Sequence, residues 1–269
     1  PPPPTEQKVW AAATVQAPIR SDAEAAAAVS HKPEVHAANA SFNAYIPSDA
    51  ELSTFRSAAS GFSPLSKYVT GRPGLSNPST DDLIQWAAAK WGLPADWMRA
   101  WFVDESNWWQ LLCSGQVPCN SSGGPKGAGI SGRGFGDKAS SNFRSTPEAA
   151  VVGSEAYTSI GIPQIKSRPS SDPHPGTEPL RWKSTAFAMD YAASIARYYY
   201  TGLCGWCSAT YKERFVNTKA RSDTNGWEVI GAWEGTPCGS GCAWNDALSQ
   251  ERWKHTRDVT LVNRTWTTY

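Results

Sequence analysis

The 269-residue chain contains no run of eighteen apolar residues, so no segment is built to cross a membrane as a helix. Neither sign of charge prevails. Lys and Arg number 25 against 24 Asp and Glu, a formal net charge of +1, and the global positive field that draws a protein to nucleic acid is missing. Histidine is sparse, with only His31, His36, His174 and His255, each of which reads as a surface residue. No Gly-x-Ser-x-Gly elbow accompanies them, which sets aside a Ser/His/Asp hydrolase. The glycine run Gly123-Gly124-Pro125-Lys126-Gly127 lacks the helix that would make it a phosphate cradle. Strand-like alternation is scarce and no internal repeat occurs, so the expected fold is α+β, mainly α. No cofactor and no metal are expected, and the chain is expected to be a monomer.

Tryptophan, by contrast, is plentiful. Fourteen tryptophans and nine tyrosines supply more flat aromatic surface than one core needs. Sugar rings stack on such faces, so three or four indoles are expected to line a groove while the rest fill the core. The six cysteines fall into short-range pairs, Cys113 with Cys119, Cys204 with Cys207 and Cys238 with Cys242. Disulfides closing small loops are the simplest account, although six cysteines allow about 15 connectivities. A zinc site built from Cys204, Cys207, Cys238 and Cys242 is the rival. The disulfide reading predicts an oxidising, extracytoplasmic location, and a chain opening at Pro1 is consistent with a secreted protein whose signal peptide has been removed. Asn39-Ala40-Ser41, Asn120-Ser121-Ser122 and Asn263-Arg264-Thr265 fit the glycosylation pattern.

Residues 1–78 are rich in Pro, Ala, Gly and Ser and predict an extended arm that packs over a domain or stays partly mobile, with no long helix expected except around residues 22–30. Residues 79–269 form the expected main domain. Its first helix starts at Ser79 or Thr80, carries Asp81 and Asp82 at the positive end of its dipole, and stops at Gly92. Leu93-Pro94 turns the chain into a second helix. Residues 110–142 read as a long connection or a small β-hairpin region, one that could wall a cleft. Thr146-Pro147-Glu148 predicts a helix start, and Ser184 caps a stronger helix in which Phe187, Tyr191, Ile195 and Tyr198 recur as a buried spine. Further helices are expected over 226–234 and 245–257.

The second helix carries the chemistry. Trp97, Trp101, Glu105 and Trp108 are spaced i, i+4, i+8, i+11, placing one carboxylate on a face with three indoles. Partial burial against aromatic rings disfavours the charged form and suits a general acid. Asp104 points about 100° away around the helix and is a poor partner.

Three segments then follow in order: Leu83 to Pro94 leading into Glu105-Ser106, then Gly161-Ile162-Pro163-Gln164-Ile165, then Ala232-Trp233-Glu234-Gly235. Together they resemble the catalytic domain of soluble lytic transglycosylases and goose-type lysozymes, whose pattern is a helix pair ending in Glu-Ser, then Gly-Leu-Met-Gln-Ile, then Ala-Tyr-Asn-x-Gly. The likeness covers roughly residues 79–250. It implies a lysozyme-like fold with a glycan groove between two lobes, Glu105 as the acid that protonates the glycosidic oxygen, and Ser106 supporting its helix. Trp108, Gln164, Trp233 and Glu234 would contact substrate. The chain departs from the family pattern in placing Pro163 for a methionine, Trp233 for a tyrosine and Glu234 for an asparagine.

The implied activity is cleavage of the β-1,4 MurNAc-GlcNAc backbone of peptidoglycan, by a hydrolase or a lytic transglycosylase. Transglycosylases manage with one glutamate because the substrate's acetamido group assists. An inverting hydrolase needs a base, for which Glu234, Glu148, Glu155, Asp137 and Asp172 are candidates. The same fold acting on chitin, chitosan or an uncommon cell-wall glycan is the nearest alternative. A silent carbohydrate-binding protein is the reading from a different class.

Overall fold

The computed structural model describes residues 17–106, 108, 110, 150–152, 155–157, 159–166 and 174–201. Three of its helices open with the same reciprocal device. Ser21, Ser48 and Ser79 each accept a backbone N–H three residues on, while Glu24, Glu51 and Asp82 reach back to the serine's own N–H. These boxes start α1 (Asp22–Ala26), α3 (Asp49–Ala59) and α4 (Thr80–Trp91), with a 3-10 turn (Ala37–Asn39) and α2 (Ala40–Asn43) between the first two. A second 3-10 turn (Ser66–Tyr68) follows α3. Gly92, at φ 73°, ends α4 in the left-handed conformation that glycine adopts without a Cβ penalty. α5 (Ala95–Ser106) comes next, followed by the antiparallel pairs β1 (Ala150–Val152) with β2 (Glu155–Tyr157) and β3 (Ser159–Ile160) with β4 (Ile165–Lys166). Val151 lies opposite Ala156, and Ile160 opposite Ile165. α6 (Leu180–Lys183) and α7 (Thr185–Tyr200) complete the described residues, which are mainly helical with little strand.

α7 is the centre of the packing. Ser184 caps it by accepting the Phe187 N–H at 3.2 Å, and every residue from Ser184 to Tyr199 is buried. A helix covered on all sides needs neighbours all round, and α4, α6 and α2 supply them. The expected spine of Phe187, Tyr191, Ile195 and Tyr198 lies within the core. From α3, Phe55 meets the ring edges of Phe187 and Tyr191 at centroid distances of 4.9 and 5.7 Å.

A buried charge cluster joins four parts of the chain. Asp190 of α7 is fully buried and receives Lys90 Nζ at 2.8 Å, the Trp91 indole N–H at 2.6 Å, and the backbone N–H groups of Thr70 and Gly71 at 2.8 and 3.0 Å. Lys90 also pairs with Asp22 of α1 at 2.7 Å. Gly71 is required here: its φ is +60°, and a Cβ would lie 2.7 Å from the Phe187 Cα. Nearby, Arg197 donates to the Trp91 carbonyl at 3.0 Å and to the Ala17 carbonyl at 2.6 Å.

Several expectations are corrected. Residues 17–78 are not extended: they hold three helices, and Ala25, Leu52, Phe55, Ala59 and Val69 enter the core. The Ser48 capping box and the Leu52, Phe55, Ala59 face outweigh the surrounding Gly, Ser and Pro content. The helix expected from Thr146 does not run through residues 150–152, which are strand. Consecutive valines at 151 and 152 favour the pleat over the helical turn. His36 and His174 are buried, not on the surface. Asn39 is likewise fully buried, with its amide committed to hydrogen bonds, so its sequon is not presented by the fold.

His174 shares a 2.9 Å hydrogen bond with the Tyr191 hydroxyl and lies edge-on to Phe62. Burial, reinforced by the Arg181 charge, pushes its pKa from 6.5 to about 3. Between those values the unfolded chain takes up a proton that the native state refuses, so the contribution is present above pH 6.5 and is lost as pH falls. Urea titrations of the wild type and His174→Phe across pH 4–7 should show wild-type stability falling faster, by up to about 1.4 kcal/mol per pH unit. Asp190→Ala breaks the buried pair, leaves Lys90 with Asp22 as its described counter-ion, and removes the acceptor of the Trp91, Thr70 and Gly71 N–H groups; it should cost about 3–5 kcal/mol in the same assay at neutral pH.

Candidate functional site

Glu105 occupies the last turn of α5 and is half-buried. Trp101, one turn earlier, donates its indole N–H to Glu105 Oε1 at 3.2 Å, so the expected pairing of this carboxyl with an indole is present. Trp101 is itself clamped between Trp97 and Phe102, at centroid distances of 5.4 and 4.8 Å. The donor that meets the carboxyl is therefore held by packing.

The helix ends immediately after. Ser106 is buried and its hydroxyl donates to the Phe102 carbonyl at 3.3 Å. Trp108 closes the end: its backbone N–H reaches the same carbonyl at 3.4 Å, and its indole N–H reaches the Arg99 carbonyl at 3.1 Å. These bonds fold the residue after the helix back onto its last turns. Trp108 adopts φ 63°, an uncommon state for a bulky residue. It is off the helix and buried, so it does not continue the Glu105 face and offers no open indole for a sugar. Among the described residues Trp86, Trp91, Trp97 and Trp101 are buried with it, and Trp182 alone is partly accessible. The groove-lining role expected for three or four indoles does not fall on the buried ones, since their size makes them the core.

Arg99 anchors α5 to the start of α4. It donates to both oxygens of Asp81 at 2.6 and 2.8 Å, and to Asp96 at 2.7 Å. Burial opposes its charge, but the hydrogen bonds and the charges of Asp81 and Asp96 outweigh that penalty and raise its pKa.

The second motif forms the tight connection between β3 and β4. Gly161 turns at φ +82°, and a Cβ there would sit 2.8 Å from the Arg181 carbonyl oxygen. Gln164 also has positive φ, 54°, and its side-chain N–H donates to the Gly161 carbonyl at 2.8 Å. Its Oε1 is buried and has no partner among the described residues. Pro163, which has no N–H to offer, stands within the turn.

Gln110, which sequence reasoning missed, connects the two motifs. Its Oε1 accepts the Ile162 N–H at 3.0 Å, and its Nε2 donates to the Arg181 and Trp182 carbonyls, both at 3.2 Å. Asn39, read only as a glycosylation triplet, holds the other side: Nδ2 donates to the Trp108 carbonyl at 2.7 Å and Oδ1 accepts the Gln110 N–H at 3.1 Å. No periodicity marks either residue, because each serves contacts distant in the chain. Trp233, Glu234, the six cysteines, Glu148, Asp137 and Asp172 lie outside the described residues. Gly161→Ala should lower stability by at least about 1–2 kcal/mol through its forced left-handed backbone alone, read as a drop in denaturation midpoint.

Compared with family models, with curated proteins and with solved structures, the chain finds no significant match.

Proposed function

We propose that the chain is a secreted glycosidase of the lysozyme-like type, with a glycan groove between two lobes, acting on the β-1,4 MurNAc-GlcNAc backbone of peptidoglycan. One observation supports this most. The indole-bonded carboxyl of Glu105 ends α5, and the turn carrying Gln164 is fastened just beyond that end by Gln110. Two segments of the motif series, more than fifty residues apart, are thus tied together.

In this reading Glu105 is the general acid. Its carboxyl accepts the Trp101 N–H on Oε1, and its proton passes to the glycosidic oxygen as the C1–O bond breaks. The positive charge developing at C1 is met by the substrate's acetamido oxygen or by a second carboxylate. Attack by water gives a reducing muramyl end, and attack by the muramyl hydroxyl gives an anhydro end. Gln164, in the turn of the second motif, helps line the groove with its backbone close to the bound sugar, as the resemblance implies.

Glu105→Gln preserves shape and removes the proton. Solubilisation of purified peptidoglycan should fall about 10²–10⁴-fold in this variant, with the products of the wild type read by mass spectrometry. Equal rates in both proteins would remove Glu105 from the mechanism. Cleavage of chitin or chitosan instead of peptidoglycan would redirect the substrate, and tight glycan binding without turnover would make the chain a binding protein.

A further inference from the structure

The glycosidase reading leaves the first third of the chain without a task, yet that segment reaches the candidate site through one buried side chain. Asn39 ends the first 3-10 turn, and its amide is fully buried. Nδ2 donates to the Trp108 carbonyl at 2.7 Å and to Thr80 Oγ1 at 3.0 Å, while Oδ1 accepts the Gln110 N–H at 3.1 Å. Thr80 is in turn held by Glu34, which accepts its backbone N–H at 2.6 Å. The chain leaving the Glu105 helix is therefore clasped at two successive described residues, 108 and 110, by one side chain from the N-terminal segment. Gln110 passes the constraint on to the Ile162 N–H and to two carbonyls at the end of α6.

We infer that Asn39 and Gln110 are positioning residues: Asn39 sets the end of the helix that carries Glu105, and Gln110 sets the Gly161–Gln164 turn against it. The inference rests on the glycosidase reading for the reaction, and on the hydrogen bonds alone for the clasp. Its chemistry is specific. Both side chains are neutral amides, which can donate and accept at once without burying a charge, and both use each function on a backbone group. A carboxylate of the same shape could only accept. Asn39→Asp keeps the acceptor for Gln110 and loses the donation to the Trp108 carbonyl. Gln110→Glu keeps the acceptor for Ile162 and sets a carboxylate against two carbonyl oxygens.

The two variants should separate kinetically. Asn39→Asp disturbs the end of α5 and should lower kcat on soluble peptidoglycan fragments by about 10- to 100-fold with KM little changed. Gln110→Glu also disturbs the turn bearing Gln164, so KM should rise together with the fall in kcat. Acidification until the introduced carboxyl carries a proton restores a donor, and the activity of Gln110→Glu relative to wild type at the same pH should recover. Near-UV circular dichroism establishes that each variant is folded at the assay temperature. Amide exchange should accelerate at Gln110 in Asn39→Ala and at Ile162 in Gln110→Ala, which remove the acceptors of those N–H groups, with α7 still protected, a readout independent of turnover.

Folded variants with wild-type kcat, KM and exchange would overturn the inference while leaving the glycosidase reading in place. Faster exchange with unchanged kinetics would equally overturn it, reducing the clasp to a structural tie. A wild type that cleaves no glycan would instead overturn the glycosidase reading and with it any positioning role. If Gln110→Glu does not fold, Asn39→Asp, which introduces no carboxylate facing two carbonyls, decides the matter by its own kcat.

Discussion

The structure depends on a carboxylate that water never reaches. Asp190 lies inside the central helix packing, and four donors from two other parts of the chain converge on it. A buried charge of this kind adds little net stability over a well-packed apolar substitute, but removing any partner leaves a group that is costly to bury alone. Its main effect is geometric. Only one arrangement of α4, α7 and the 70–71 backbone satisfies every group, so the cluster specifies how the N-terminal segment lies across the helices.

The candidate site uses a different kind of interaction. Around Asp190 an ion pair with Lys90 is completed by neutral donors, whereas the bonds described at Trp108, Gln110 and residues 161–164 join only neutral groups: amides, carbonyls and an indole N–H. Neutral groups avoid the desolvation cost of ions and still demand direction, because each donor and acceptor has a preferred line of approach. The left-handed backbone at Trp108 and Gln164, together with the Gln164 oxygen that has no described partner, concentrates local cost just beyond the end of α5 and in the β3–β4 turn. Strain of this sort, on the order of 1–3 kcal/mol for each residue, survives only where the surroundings over-determine it. The Asn39 and Gln110 bonds are what over-determine it here.

Much of the helical frame was legible from residue order. The Ser79 start, the Gly92 stop and the Ser184 cap are local signals whose bonds close within a turn, and the Phe187 to Tyr198 spine is a periodicity that burial bears out. The pairing of Glu105 with an indole could also be read, because i and i+4 on a helix are neighbours wherever the helix goes. What could not be read depends on distant partners. Asn39 looked like a glycan acceptor because three residues say nothing of Trp108 and Gln110, some seventy positions later. Trp108 was assigned to the α5 face by continuing a period past the point where the helix stops. The α3 helix had its signature in Ser48, Glu51, Leu52 and Phe55, but the composition of the surrounding segment drew attention away from it.

Arg197 ties the Ala17 carbonyl to the end of α4 across 180 positions of sequence, and Lys90 meets Asp190 across 100. Such contacts can form only after nearly all of residues 17–197 have left the ribosome. Until α7 arrives, the apolar flank of α4 has no cover and Lys90 has no counter-ion from that helix. Closure of such long loops makes folding slow, and it leaves the emerging chain dependent on protection from self-association during synthesis.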